Sequence, residues 1–510
     1  MSTQQNFDVC VIGAGPGGYV AAIRAAQLGK KTCVIEREFL GGVCLNVGCI
    51  PSKAMISASH FLERLRHDAP EMGIEIKSGG KSAEINLNMK KLVGWKQSVS
   101  DRMSSGVSQL LKGNAVTVIR GEAEFVSPNE LKVSASRPGE TNGKTNGAAE
   151  VTMVTAKNFV IATGSRPIEI PGFQIDEKNV LSSTGALALD EIPKSLVVIG
   201  GGYIGLEIGS YLRKLGSEVT VLEAGSALLN GVADRECVQI VERKLKKSGV
   251  NVIFGAKAKA YKKMGDKKDS SYIVEYELSG KTEKIECDKI LLTVGRRPNS
   301  DQTGLKKVGV AIDERGFVKV NSQRRTNFAH IFAIGDIAGQ PMLAHKASHE
   351  GVLVAEVIGG MNRAYDVKTV PAVVFTDPEI ASVGLLESEC AARGFNDLMI
   401  SKFPFAANGR AVSLMETDGF VKIIADKKSH VVLGVHMVGP EVSNLISEAA
   451  LAIEMGALLE DLALTIHPHP TLGEVVMEAA EATLGHAIHI IQKPLSRTET
   501  TNRPTTATRT

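Results

Sequence analysis

Phe7-Asp8-Val9-Cys10-Val11-Ile12-Gly13-Ala14-Gly15-Pro16-Gly17-Gly18 reads as a short apolar strand running into a glycine turn. A small-residue helix is expected over 19–28, then a second strand over 31–35 that ends in Glu36. Gly13 allows the tight turn, Gly15 lets a pyrophosphate approach the backbone, and Gly18 permits close helix–strand packing. The helix N-terminus then turns the positive end of its dipole toward the phosphates. Glu36, 23 residues after Gly13, is placed to accept hydrogen bonds from ribose hydroxyls. A glycine turn alone can be a simple chain reversal. Strand, turn, helix, strand and terminal acid together read as a dinucleotide site.

The unit recurs. A strand over 195–199 leads into Gly200-Gly201-Gly202-Tyr203-Ile204-Gly205, a helix, and a strand over 218–222 ending in Glu223. Gly200, Gly202 and Gly205 match Gly13, Gly15 and Gly18, Leu215-Gly216 matches Leu28-Gly29, and Glu223 is again 23 residues after the first glycine. One spacing used twice is an internal repeat, so two separate dinucleotides are expected. A carboxylate at the ribose 2′ position accepts hydroxyl hydrogen bonds and repels a 2′-phosphate, and no arginine follows Glu223. The second dinucleotide is therefore expected to be NAD rather than NADP.

The 510 residues exceed what one core holds, so three or four domains are expected. A net charge of +3, one Trp and 5% aromatics offer neither the basic surface nor the stacking platform of a nucleic-acid binder. No apolar run is long enough to span a bilayer. Residues 1–6 carry neither a signal-peptide nor a transit-peptide pattern, so a cytoplasmic location is expected.

Of the seven cysteines, only Cys44 and Cys49 are closely spaced. They lie in Gly41-Gly42-Val43-Cys44-Leu45-Asn46-Val47-Gly48-Cys49-Ile50-Pro51-Ser52-Lys53, ahead of a helix expected over 51–66 with Ile56, Phe61, Leu62 and Leu65 on its apolar face. Proline suits a first helical turn, which puts Cys49 at or just before a helix N-terminus, where the dipole favours thiolate. Alternatively the helix begins near Gly41 and Pro51 kinks it. Either way Lys53 can lie close to Cys49. Zinc would need two further ligands, and no second cysteine pair or Cys/His cluster supplies them. A redox dithiol and a chance pair of thiols both remain open on these residues alone.

This stretch is similar to the active-site signature of the flavin-dependent pyridine nucleotide-disulfide oxidoreductases, which usually have threonine at the place of Val43. The resemblance implies FAD in the first site, Cys44 exchanging with substrate, and Cys49 facing the flavin. Further blocks extend it over about residues 5–490. Asn158-Phe159-Val160-Ile161-Ala162-Thr163-Gly164-Ser165-Arg166-Pro167 resembles a second flavin-side signature, which puts Thr163 and Gly164 at the FAD. A strand over 329–336 ends in Asp336; such an acid can cap a turn, while the resemblance assigns it to a ribityl hydroxyl and Ala344-His345 to the loop beside the isoalloxazine. Gly295-Arg296-Arg297-Pro298-Asn299 is a turn also found in the family, and Gly295 is expected with the NAD set. Glu207 reads as a first-turn acid complementing a helix dipole; the resemblance implies that it also pairs with Lys53 beside the flavin.

From about Tyr365 the pattern becomes α+β, with strands expected over 372–375, 419–424 and 431–438 and helices over 441–455 and 474–484. The resemblance makes this the dimer-interface domain. In His467-Pro468-His469-Pro470-Thr471-Leu472-Gly473-Glu474 the prolines keep the histidines out of helix. Thr471 and Glu474 fit a capping box. The resemblance selects His469 as the acid–base catalyst, oriented by Glu474 and serving the dithiol of the other subunit.

The expected fold is α/β, two Rossmann-like dinucleotide-binding domains plus a C-terminal α+β dimerisation domain. Its parts are 1–170 (FAD, with a surface insertion near 134–150), 171–288 (NAD), 289–364 (completing the FAD site), 365–496 (interface) and a disordered tail, 497–510. The expected activity is oxidation of a dithiol through Cys44, Cys49 and FAD with reduction of NAD+. Ser52 stands where glutathione reductases usually carry lysine, and mercuric reductases carry a C-terminal cysteine pair that is missing here. Both point to dihydrolipoamide, carried by a lipoyl-bearing domain of an acyltransferase subunit or by a lipoyl carrier protein. The alternatives are another reductase of the family, glutathione-like or mercuric, or a mainly structural subunit of such a complex.

Overall fold

The computed structural model describes residues 3–78, 81–83, 85–135, 151–265 and 271–492. The insertion expected near 134–150 falls from residue 136 on, and the tail at 497–510 entirely, outside the described residues. The chain divides into two compact units, Met1–Ser226 with Val250–Asp366, and Ala227–Gly249 with Val367–Thr510.

In the first unit, strand Thr3–Ile12 pairs in parallel with Thr32–Glu36 and with Val151–Ile161. Thr117–Arg120 and Ile331–Ala333 extend this sheet in parallel, and Glu122–Ser127 with Glu130–Ser134 adds an antiparallel ribbon. All five residues of Thr32–Glu36 are buried, as in a strand covered on both faces. Ile12 registers with both Ile35 and Ile161, so three strands end at one edge, the side on which open α/β sheets bind ligands.

The second sheet of this unit is Val180–Leu181, Lys289–Leu292, Ser195–Ile199, Glu218–Glu223 and Asn251–Phe254, all parallel. It repeats the first in detail. Gly13 N donates to Ile35 O at 2.8 Å and Gly200 N to Leu222 O at 2.9 Å; Ala162 N donates to Ile12 O at 2.8 Å and Thr293 N to Ile199 O at 2.9 Å. The boundary expected at 288/289 cuts this sheet, because Ile290 registers with Val197 inside it. Lys289–Leu292 belongs with the second dinucleotide fold. Helix Arg235–Lys247, by contrast, leaves the expected 171–288 segment and falls in the second compact unit.

The second unit holds an antiparallel sheet ordered Ala372–Val374, Glu379–Gly384, Val432–Gly439, Phe420–Asp426, Leu398–Pro404. Phe403, Phe405, Val435 and Met437 bury completely with Val475, Val476 and Ala479 of helix Glu474–Thr483. Lys422, also buried, reaches Asp234, Glu236 and Glu387 at 3.1, 2.8 and 2.9 Å, tying helix Arg235–Lys247 into this unit. No described helix is long and apolar enough to cross a membrane.

Candidate active site

The cysteine stretch folds as two helices. Gly42–Asn46 carries Cys44, and a long helix, Cys49–Glu71, begins at Cys49 itself. The first sequence reading holds: a separate helix starts at the second thiol with Pro51 in its first turn, while the short helix beside Gly41 ends at Asn46 and does not continue through a kink at Pro51. The buried side of the long helix is Ala54, Met55, Ser59, Leu62 and Ala69; Phe61, expected on the apolar face, is exposed because it sits about 100° round from Leu62. Gly42 is held at φ +60°, where a Cβ would stand 2.7 Å from Gly15 Cα, so the dithiol loop lies directly on the first phosphate turn.

The two thiols differ. The hydrogen bond from Cys44 to Cys49 draws the Cys49 thiol down to about 7 against the effect of burial, with Lys53 helping. The same hydrogen bond, then burial, pushes the Cys44 thiol far above its ordinary range. Both shifts favour thiolate on Cys49 with the proton kept on Cys44. Lys53 Nζ lies 2.8 Å from Glu207 Oε2, which joins the dithiol helix to helix Tyr203–Leu215.

A cavity of about 880 Å³ opens here, large for a small-molecule site. Its lining includes Gly13, Gly15, Gly18, Glu36, Cys44, Cys49, Lys53, Thr163, Gly164, Glu207, Asp336 and Ala344. Gly200, Gly202, Gly205, Glu223 and Gly295 are outside this lining, and His469 and Glu474 belong to the second unit. Glu36 accepts from the amides of Ala14 at 2.7 Å and Glu38 at 2.8 Å. Glu223 does the same with Gly201 at 2.7 Å and Gly225 at 2.6 Å. Each carboxylate oxygen keeps a further lone pair for a ribose hydroxyl.

Sequence reasoning missed a clamp that joins the 163–167 segment, the 295–299 turn and Asp336. Strands Ser165–Pro167 and Arg296–Pro298 pair antiparallel. Arg296 donates to Ser165 Oγ at 2.8 Å and to Ser165 O at 2.7 Å, and Ser165 Oγ donates to Asp336 at 2.5 Å. Asn299 donates to Thr163 O at 2.9 Å. Gly295 serves this turn, its carbonyl accepting from Ile168 N at 3.0 Å. Tyr203 also lines the cavity; burial raises its phenol, Arg296 opposes, and Asp336, Cys49 and Glu207 add to the rise. Its only sequence signal was its place directly after Gly202, inside the second glycine motif.

In the second unit, His469 Nδ1 lies 2.8 Å from Glu474 Oε1, and 77% of the histidine side chain is exposed. Glu474 Oε2 accepts from Thr471 N at 2.8 Å. Only half of the expected capping box forms, since the Thr471 hydroxyl donates to Pro468 O instead. Burial would push the Glu474 carboxyl up, but the Thr471 amide and then His469 outweigh it and hold it below its usual range. His467 is a different case: both ring nitrogens are engaged, with Thr465 O at 2.8 Å and Glu448 at 2.9 Å, and its side chain is buried.

Both glycine-turn helices, Pro16–Gln27 and Tyr203–Leu215, start without a side-chain cap or a first-turn acid, leaving amide donors for phosphate; Glu207, expected in the first turn, lies in the second because the helix begins at Tyr203. Thr163 has a buried Oγ1 with no hydrogen-bond partner among the described residues. A repeated phosphate turn and a cavity with an asymmetric thiol pair define an oxidoreductase that couples a dithiol to two dinucleotides. Residues 7–351 match the family model described as pyridine nucleotide-disulphide oxidoreductase, and residues 370–480 match that family's dimerisation domain. The chain belongs to the pyridine nucleotide-disulphide oxidoreductase family. It is 49% identical over 486 residues to dihydrolipoyl dehydrogenase of Geobacillus stearothermophilus, covering 95% of this chain and 98% of that one. It is 46% identical over 491 residues to dihydrolipoyl dehydrogenase of Thermus scotoductus, covering 96% and 100%. Among solved structures it resembles LpdA of Mycobacterium tuberculosis, with a TM-score of 0.81 at 27% identity over 94% of this chain and 99% of that one. Family membership implies FAD and NAD, and the dimerisation domain supports a homodimer.

Proposed function

We propose that the chain oxidises protein-bound dihydrolipoyl groups to lipoyl disulfides with NAD+ as acceptor, the activity of a dihydrolipoyl dehydrogenase. The observation that carries this is the unequal Cys44–Cys49 pair inside the cavity that also holds the first phosphate turn and Glu207. Relatives of that activity, 46–49% identical over nearly the whole chain, support it.

FAD would be held at Gly13, Gly15, Gly18, Glu36, Thr163, Gly164, Asp336 and Ala344, and NAD at Gly200, Gly202, Gly205 and Glu223. Bound FAD supplies two-electron transfer between the dithiol and the nicotinamide. The protein's own steps begin with a substrate thiolate attacking Cys44 Sγ of the oxidised pair; the Cys44–Cys49 bond breaks and Cys49 leaves as thiolate, favoured by its low pKa. The second substrate thiol attacks the mixed disulfide, forming the lipoyl disulfide and releasing Cys44. The partner subunit's His469 accepts the substrate's proton, and Cys44, whose thiol holds its proton tightly, takes one back. Glu474 fixes the ring through Nδ1. The lipoyl group comes from an acyltransferase subunit or carrier protein. A reducing cytoplasm suits the five further free thiols, all buried.

Steady-state rates with dihydrolipoamide and NAD+ or NADP+, and with glutathione disulfide or Hg(II) and NADH or NADPH, test the reading. Dihydrolipoamide with NAD+ should dominate; activity confined to NADPH with glutathione or Hg(II) overturns it.

A further inference from the structure

Helix Ala344–Ile358 sends one side chain back to the turn that precedes it. Glu350 is completely buried, and its Oε2 accepts a hydrogen bond from the Gly335 amide at 2.6 Å. Its Oε1 lies 2.9 Å from Arg324 and 3.0 Å from Lys346. Lys346 is buried too and donates to Gly339 O at 3.2 Å. Arg324 lies over the Tyr365 ring, 3.7 Å from its centroid, and His349 meets that ring edge-on. One carboxylate therefore faces two cations away from water. Packing a helix on a sheet does not call for such a cluster, since apolar residues of similar volume serve as well or better.

Its position indicates what it acts on. Gly335 leads into Asp336, which lines the cavity, and the helix that carries Glu350 begins at Ala344, which lines it as well. We propose that Glu350 is a positioning residue for the flavin: it fixes the Gly335–Asp336 turn, and with Lys346 and Arg324 it keeps one surplus positive charge behind that turn. A buried positive charge stabilises electrons added nearby, because little solvent screens it. The cluster thus sets the flavin potential as well as its seat. This rests on the assignment of FAD to the cavity.

The test uses the holoenzyme and variants of it, with the flavin midpoint potential and the rate of FAD loss as readouts. Lys346→Met removes a cation and should make the midpoint more negative than wild type. Glu350→Gln removes the anion, keeps an acceptor for the Gly335 amide, and should make it less negative. The double variant loses one charge of each sign and should return toward wild type. Glu350→Leu also removes the acceptor and should release FAD faster than Glu350→Gln. Equal midpoints across the charge variants overturn the electrostatic role, and equal FAD loss from the Leu and Gln variants overturns the positioning role. Wild-type protein that binds no flavin at all would instead refute the FAD assignment.

Discussion

Lys53 and Glu207, 154 residues apart, meet at 2.8 Å between the dithiol helix and the helix after the second glycine turn. They act on Cys49 in opposite senses, Lys53 lowering its pKa and Glu207 raising it. The alkylation rate of reduced protein with iodoacetamide should therefore rise with pH about a half-point of about 7. Lys53→Met should move that half-point up and Glu207→Gln should move it down. Shifts in the same direction would mean the two residues act on Cys49 only through the shape of the loop. Glu207 is the more deeply buried partner, so Lys53→Met should also cost about 2 kcal/mol in denaturant unfolding.

The His469–Glu474 contact makes a separate prediction. His469→Gln should lower dihydrolipoamide turnover roughly 10²–10⁴-fold, the range for a lost acid–base group. NADH should still reduce the flavin in rapid mixing, because that half of the reaction does not use the histidine. His467→Gln should act on stability instead, since both its ring nitrogens are engaged inside the fold. A large turnover loss in His467→Gln with near-normal turnover in His469→Gln would show that the two histidines were assigned the wrong way round.

What was legible in the sequence is what chemistry or backbone geometry pins to a fixed spacing. The two glycine units could be read because a phosphate turn tolerates few residues at Gly13 or Gly200, and the same hydrogen bonds then recur in both sheets. The cysteine pair and the His-Pro-His-Pro run were legible for the same reason. Contacts made over long sequence distance were not. Arg296, Ser165 and Asp336 meet across 131 and 171 residues, and no local pattern announces them. The apolar run of Lys289–Leu292 forms a strand, but its sheet is decided by pairing with Ser195–Ile199, nearly a hundred residues earlier. Strand Glu379–Gly384 was missed because four consecutive residues in it are buried, so the alternation of a half-exposed strand is absent.

Gly18 gives a steric prediction. A Cβ there would stand 1.9 Å from Gly13 O, with no flexible side chain to yield. Gly18→Ala should force the helix away from the phosphate turn, costing about 2–3 kcal/mol and lowering the flavin content of purified protein. Thermal melting together with the flavin-to-protein absorbance ratio checks both effects. A stable variant with full flavin would show that the turn and helix can separate without losing the site.

On the proposed reading, Glu223 selects the nicotinamide. Its oxygens already hold the Gly201 and Gly225 amides, as those of Glu36 hold Ala14 and Glu38, so the acid shapes its loop and, on the proposed reading, would present its charge to the ribose. Glu223→Gln keeps an acceptor for the loop and removes the charge; it should weaken discrimination against NADPH with little effect on folding. Glu223→Ser combined with Ala224→Arg adds a cation where a 2′-phosphate would sit, and should lower the NADH-to-NADPH ratio of kcat/KM at least about tenfold, the size of one charge-assisted contact. The corresponding change at Glu36 should leave that ratio untouched and reduce FAD retention instead. An unchanged ratio in the Glu223 variants, with normal stability, would confine that carboxylate to holding its two amides and reopen the choice of nicotinamide.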